Sequence, residues 1–463
     1  MHTVAIIGAG FTGTMVAVNL LRMAEGPTRI LLVERSGRFS AGVAYGTRSD
    51  AHLLNVPAGR MSAFPDDGDH FLRWARARDE TITGGTFVPR RFYGKYLADV
   101  LDDTEASASA TTSIVRLASE AREIERMSTG VRLVLADGRT VLADHVVLSI
   151  GNYEPANPPA ADAGFYVSDR YARDPWAPGA LDVDHDAAVL LLGTGLTMLD
   201  VAIALGTRGH RGPIHALSRR GLLPQPHRES ASAPLHHDRP ATLDIWPRTA
   251  LGLLRELRRE VREAAAHHVD WREVITSIRH DTPALWQSLP REERLRFLRH
   301  LRSYWETHRH RSAPITTARI NALRTCGQLT IHAARVLGYE STDSVRVAIR
   351  RRRAAETEEL TVARVINCTG PDTNLARVRD PLVQNLRSAG LIRPDELGLG
   401  LDTDERGALI GADGTPSADL FCVGPLRKGR LWENTAVPEL RVEAAQMARR
   451  LAGFSGKQPS RLG

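Results

Sequence analysis

The sequence predicts an α/β protein whose central unit occurs twice. A β-branched run ends in Gly8-x-Gly10-x-x-Gly13 and opens a helix, and a second apolar run ends in Gly193-x-Gly195 and opens another. Between about 240 and 312 the glycines nearly vanish and apolar residues recur at helical spacing. Together these give two Rossmann-like dinucleotide-binding domains, three-layered and carrying β-meanders, with a helical insertion in the second.

Residues 1–160 read as the first part of the first domain. Val4-Ala5-Ile6-Ile7 is a buried strand. Gly8 permits the tight turn and Gly10 admits a pyrophosphate against the backbone. Gly13 lets the helix continuing through Thr14 to Met23 pack on the strand, so that the N–H groups around Phe11 and Thr12 face phosphate oxygens. The next strand, Ile30 to Val33, closes on Glu34, an acid placed to accept from ribose hydroxyls.

The following stretch combines Gly42-Val43-Ala44-Tyr45-Gly46 with His52-Leu53-Leu54-Asn55-Val56-Pro57-Ala58-Gly59-Arg60-Met61-Ser62. Turn formers mixed with buriable side chains suit a folded loop over the far end of a cofactor, with a structural Ω-loop as the alternative. Asn55 and the Leu53 to Met61 segment are expected to line the reacting ring, with Asn55 and, second to it, His52 as the candidate catalytic residues. Phe71 to Arg78 and Tyr93 to Leu101 have helical spacing. Val131 to Leu135 alternates, Asp137-Gly138 turns, and His145 to Ile150 is a buried strand ending at Gly151. Pro155 to Pro159 reads as a linker.

Residues 186–370 read as the second domain. Gly193, Gly195, Leu196 and Thr197 repeat the turn, but Met198 replaces the third glycine and should open the helix–strand spacing. After the strand Ile214 to Leu217, Ser218-Arg219-Arg220-Gly221 stands where the first copy has Glu34. An acid favours a free 2′-hydroxyl, whereas arginine binds a 2′-phosphate through charge-assisted hydrogen bonds. FAD is therefore expected at the first turn and NADPH at the second, unless Arg219 and Arg220 are solvated surface residues. In the helical insertion, Leu251, Leu254, Leu257, Val261 and Ala264 form one face, Leu295, Leu298, Leu301 and Trp305 another, and Trp271, Val274, Ile275 and Ile278 a third. It suits a substrate cap or a partner surface. It ends at His308-Arg309-His310-Arg311, and His227, Arg309 and Arg311 are expected substrate or phosphate contacts.

The strand Val362 to Asn367 ends at Gly370 and closes this domain. Residues 371–463 read as the returning part of the first domain: Asp419 to Val423 is a strand turning at Gly424, and Thr435 is the expected N-cap of a terminal helix whose dipole would stabilise negative charge on a reduced flavin.

Composition excludes other classes. The net charge is +7, but only Lys95, Lys428 and Lys457 are lysine and the arginines are scattered among acids, so no nucleic-acid surface is expected. Cys326, Cys368 and Cys422 form no CxxC, so no zinc site or disulfide framework is readable. No signal peptide or membrane-spanning run is apparent, and the expected location is the cytoplasm. No feature fixes an oligomeric state.

The two glycine turns, Asn367-Cys368-Thr369-Gly370-Pro371, the Gly42 to Ser62 loop, the helical block through Trp305 and His308 to Pro314, and Gly424 to Arg441 together resemble a bacterial FAD/NAD(P)-binding protein family of two-dinucleotide-binding flavoproteins. It is related to flavin-dependent N-hydroxylating monooxygenases, including N-oxygenases that oxidise aspartate towards nitrosuccinate. Gly424-Pro425 departs from the Gly-Asp of many relatives. The resemblance implies an NADPH-using monooxygenase that oxygenates a small amine or amino acid with dioxygen through a flavin 4a-hydroperoxide. The same turns would serve an NADPH-dependent reductase or dehydrogenase without oxygen insertion, or a non-enzymatic FAD-binding redox sensor. A disulfide reductase would need a thiol pair that the spacing of the cysteines does not supply.

Overall fold

The computed structural model describes residues 1–160, 164–228 and 237–455. Its first sheet has six strands in the order Ala408–Ile410, Pro416–Cys422, His145–Leu148, His2–Ile7, Thr28–Val33, Thr112–Leu117. All neighbours are parallel except the Ala408–Ile410 edge. A central parallel strand is covered on both faces, which is why Val4, Ala5 and Ile6 are all apolar and all fully buried. One face packs on helices Phe11–Met23, Arg90–Ala106 and Val437–Ser455 in a core that includes Met15, Leu97 and Leu451. On the other lies a three-stranded meander, Ala121–Arg126, Val131–Leu135 and Thr140–Ala143, sharing a core with helix Pro381–Ser388.

The second sheet has seven strands: Glu358–Val362, Val345–Arg351, Leu329–Ser341, Ile214–Ser218, Val189–Leu192, Arg364–Asn367, Tyr171–Ala172. The last five are parallel and the first two add an antiparallel extension. In each sheet the strand entering the glycine turn is flanked by the next strand of its βαβ unit and by a late strand from far along the chain. Both turns therefore lie at the carboxyl edge of their sheets, where open α/β sheets bind ligands.

Between Ile214–Ser218 and Leu329–Ser341, both strands of the second sheet, the chain inserts a block of helices: Ala250–Ala266, Trp271–Ser277, Thr282–Ser288, Arg291–His300 and Arg302–Arg309. Its inner faces differ from the periodicity. Leu251 is 54% exposed, and Leu253 packs with Leu257 beside Trp246 and Ile278 instead. Leu257 and Ala264 of the expected stripe do face inward, and Glu260 is buried beside them, ion-paired with Arg259. Leu295 is exposed too, and Phe297 packs with Leu298 and Trp305 against Trp286 and Trp432. The terminal helix begins at Val437, and the carbonyl of Ala436 accepts its first bond from Leu440 N–H at 3.0 Å. Thr435 is exposed and precedes the cap instead of forming it, because the chain is still turning there, with its N–H bonded to the Glu433 carbonyl.

Among the described residues no helix is long and apolar enough to cross a membrane, and no cluster of three or more metal-ligating side chains is present.

Candidate functional site

The two glycine turns are built alike at the level of single atoms. Gly8 has φ +96° and its N–H donates to the Val33 carbonyl at 2.8 Å; Gly193 has φ +110° and donates to the Leu217 carbonyl at 2.7 Å. A Cβ on either would come within 2.5 Å of a carbonyl oxygen, that of Ser149 or of Cys368. Only glycine fits, both for its backbone angle and for the neighbouring strand. At Gly13 a Cβ would lie 1.9 Å from the Gly8 oxygen, so helix Phe11–Met23 touches the turn directly. The same spacing could not accommodate Met198, which is fully buried in the second core.

The middle glycines are different. A Cβ at Gly10 would meet only the Gly42 Cα, at 3.7 Å, and one at Gly195 would meet nothing within 4 Å. Both residues are helix N-caps without a side-chain hydrogen bond. The donors of each first turn, at Phe11 to Gly13 and at Leu196 to Met198, thus form a positive backbone cradle with room in front. Its shape and donor set fit a dinucleotide pyrophosphate.

The groups around the cradles divide as follows. The Glu34 carboxylate closes the first turn, accepting from Ala9 N–H and Ser36 N–H, each at 2.9 Å. Gly42, with φ +55°, backs onto Gly10, and a Cβ at Gly424 would sit 3.3 Å from Thr12 Oγ1. The 42–62 loop and the C-terminal strand therefore meet at the first turn. At the second turn the Ser218 hydroxyl bonds Thr194 Oγ1 at 2.8 Å and accepts from Gly221 N–H at 3.0 Å. Arg219 is exposed beside it. Arg220 is committed elsewhere: it donates to Tyr304 Oη and the His300 carbonyl, both at 3.1 Å, on the helical block. Gly370, φ +85°, turns the chain after Arg364–Asn367. Met61 is 2% exposed within the first core, which makes it a foundation of the loop.

His52 is buried, with Nδ1 on Thr47 Oγ1 at 2.7 Å and its ring edge-on to Trp176 at 5.0 Å. Burial, with Arg90 adding to it, lowers its pKa to about 4, so it is a neutral imidazole. The Asn55 carbonyl lies 2.9 Å from His227 Nε2. A carbonyl only accepts, so Nε2 carries the hydrogen. Burial and then Arg311 lower this pKa to about 4 as well. The chain around His227 bonds Ser312 through His227 N–H and the Gln225 carbonyl, both at 3.0 Å. The structure thus brings Asn55, His227 and Arg311 together between the loop and the helical block, while Arg309, close enough to act on Arg311, is held by Glu433 and Glu439.

Two features lay outside the sequence reading. Arg90 donates to the Leu53 carbonyl at 3.0 Å and pairs with Asp200, on the second-turn helix Leu196–Thr207, at 2.7 Å. Nothing in the sequence marks that partnership. Glu443, buried on the terminal helix, accepts from Gly424 N–H at 2.9 Å and pairs with Arg427 at 2.6 Å. A lone acid on the apolar stripe of Leu440, Ala444 and Met447 was the available signal. Pro425 is tolerated after Gly424 because it opens the 3₁₀ turn Pro425–Arg427, where no N–H is needed.

Residues 5–153 match the model of a family described as FAD-NAD(P)-binding. No curated protein matches the chain. Among solved structures, an L-lysine 6-monooxygenase from Pseudomonas syringae is 15% identical with a TM-score of 0.65, covering 99% of this chain and 100% of that one. An ornithine N-hydroxylase from Kutzneria sp. 744, in a form with reduced FAD, NADP⁺ and L-ornithine, is 16% identical with a TM-score of 0.60, covering 98% and 99%. A thioredoxin reductase from Lactococcus lactis is 13% identical with a TM-score of 0.53, also covering 98% and 99%. At these identities the likeness is one of fold, and the fold is that of the two-dinucleotide-binding flavoproteins, monooxygenases and reductases alike.

Proposed function

We propose that the protein is an FAD-dependent, NADPH-using monooxygenase acting on a small amine or amino acid. The observation that supports the cofactor pair in this reading is the two matching, uncapped cradles, one closed by Glu34 and the other opening beside Arg219. The Phe11 to Gly13 amides would hold the FAD pyrophosphate, with Glu34 on the ribose. The Leu196 to Met198 amides would hold that of NADPH, with Arg219 on the 2′-phosphate, a role for which Arg220 is already engaged. Held there, FAD and NADPH would supply hydride transfer and the two-electron chemistry with dioxygen. The loop from Leu53 to Met61 would cover the reacting end, anchored by Arg90 and by the hydrogen bond from His227. Phe11 and Tyr93 stack and Tyr45 meets both edge-on, at 4.8 Å from Tyr93, in the core that Leu54 and Met61 join, and would keep that side dry.

Thiol chemistry has no group to run on. Cys368 and Cys422 are buried, with burial pushing the Cys422 thiol up to about 12 and Cys368 higher still, and Cys326 is exposed on its own. That favours oxygenation over the disulfide-reducing half of the structural neighbours.

The test is rapid mixing. Flavin-loaded protein reduced anaerobically by NADPH and mixed with oxygenated buffer should pass through a flavin spectrum that is neither reduced nor oxidised. With an amine substrate present it should form an N-oxygenated product. Direct return to oxidised flavin, with all oxygen released as hydrogen peroxide across a panel of amines and amino acids, would leave a reductase.

A further inference from the structure

Beside the loop assigned above to the flavin's reacting end, a guanidinium is buried without an ion pair among the described residues. Arg311 is 9% exposed and its Nε has no partner; its one side-chain hydrogen bond runs to Thr276 Oγ1 at 3.4 Å. Its neighbours are already matched: Arg309 pairs with Glu433 at 3.3 Å and Glu439 at 3.2 Å, and Arg272 with Asp270 at 3.0 Å. Arg311 forms no ion pair among the described residues. Burial, Arg309 and Arg272 together lower its pKa to about 10 against the opposing pull of Glu273. Arg60, exposed at the end of the 3₁₀ turn Ala58–Arg60, adds a further guanidinium to the field at Arg311 and His227. Trp271 supplies an apolar wall, its ring 5.9 Å from the Arg311 guanidinium and 4.5 Å from that of Arg272.

A buried cation without a partner is costly, and such a group persists where function supplies the counter-charge. We infer that Arg311, flanked by Arg60 and Arg272, is the anion subsite of the substrate pocket and takes a carboxylate of the substrate. A guanidinium matches a carboxylate with two parallel N–H···O bonds, which lysine cannot form. The dinucleotide phosphates are provided for elsewhere, at the two helix N-termini. Through Gln225, His227 and the Asn55 carbonyl, the Arg311 segment is tied to the loop of the first domain. A carboxylate held here would place the rest of the substrate beside that loop. The inference rests on the proposed reading of Leu53 to Met61, but its test needs no turnover.

Calorimetric titration of the oxidised, flavin-loaded protein with succinate, butane-1,4-diamine and NADP⁺ separates the possibilities. Succinate should bind the wild type and the diamine should not. Arg311→Met should weaken succinate at least tenfold (~10-fold or more, the loss of a charge-assisted pair) and leave NADP⁺ unchanged. Its melting temperature without ligand should equal or exceed that of the wild type, since an unmatched buried charge has been removed. If Arg311→Met fails to fold, Arg311→Lys keeps the charge and should still bind succinate more weakly than the wild type. Succinate affinity indifferent to both variants, no succinate binding by the wild type, or loss of NADP⁺ binding in its place would each overturn the assignment. An absence of oxygenation in the rapid-mixing experiment would leave these binding results standing, so the two readings fail separately.

Discussion

Gly13→Ala is expected to give a protein that neither retains FAD nor folds stably, whereas Gly10→Ala folds and is purified without FAD. The two glycines stand three residues apart and have opposite surroundings. At position 13 the new methyl would lie 1.9 Å from the Gly8 carbonyl oxygen and 2.4 Å from Ser149 Oγ. The carbonyl belongs to the turn itself and cannot swing aside, so helix and strand must separate, at a cost of about 4 kcal/mol or more. At position 10 the methyl meets only Gly42 Cα, at ordinary contact distance, and would project in front of the helix N-terminus. Its effect falls on the ligand. Flavin absorbance per protein and melting temperature, measured together, check this. Gly10→Ala should lose about tenfold or more of its bound flavin while melting within a few degrees (about 3 °C) of the wild type. A flavin-replete Gly10→Ala would remove the first turn from the cofactor site.

Arg90→Met is the second large effect, acting through the joint between the two halves. Arg90 holds the loop through the Leu53 carbonyl and pairs with Asp200, whose side chain is 9% exposed. Taking one member from a buried pair strands the other, and the expected loss is about 3 kcal/mol at neutral pH. The pH dependence follows from Asp200. Burial already raises its pKa, and Arg90 opposes that rise. Without Arg90 the carboxyl pKa climbs further. A carboxyl whose pKa is higher in the folded state than in the unfolded state stabilises the fold at low pH and loses that contribution as pH rises through the folded value. The deficit of Arg90→Met should therefore be smaller at acid than at alkaline pH, by urea denaturation. Arg90→Met/Asp200→Leu, with no stranded charge, should recover most of it at all pH values.

What was readable from the sequence were features with a local cause. Gly8, Gly13 and Gly193 are fixed by backbone angle or by contact with a neighbouring strand, and each lies within a motif of a few residues. The parallel strands were legible because burial on both faces leaves unbroken apolar runs, as in Val4 to Ile7 and Leu190 to Leu192. The helical block was visible in composition and much of its inward face in periodicity, with Val274, Ile275, Ile278 and Ala264 buried as expected and Leu251 and Leu295 exposed against expectation. In the first helix a buried acid, Glu260, shares the inward face with Leu257 and Ala264, which apolar periodicity alone does not show. Arg219 and Arg220 look equivalent in the chain and differ only because Tyr304 and the His300 carbonyl, some 80 positions later, take one of them. Arg90–Asp200 spans 110 positions and Asn55–His227 spans 172, and neither leaves any periodic trace. Residues proposed to hold cofactor phosphates announce themselves through turn chemistry; those gathered around His227 come from separate elements and meet only in the fold.

The most direct test of the central claim, that the first turn holds a flavin which NADPH bound at the second reduces, is anaerobic reduction of the flavin-loaded protein by NADPH and by NADH in turn. The account predicts rapid bleaching of the flavin by NADPH and slower bleaching by NADH, with Arg219→Ala narrowing the difference and Gly195→Ala slowing both. A flavin that neither nucleotide reduces, or a preference for NADH that Arg219→Ala leaves untouched, would contradict it.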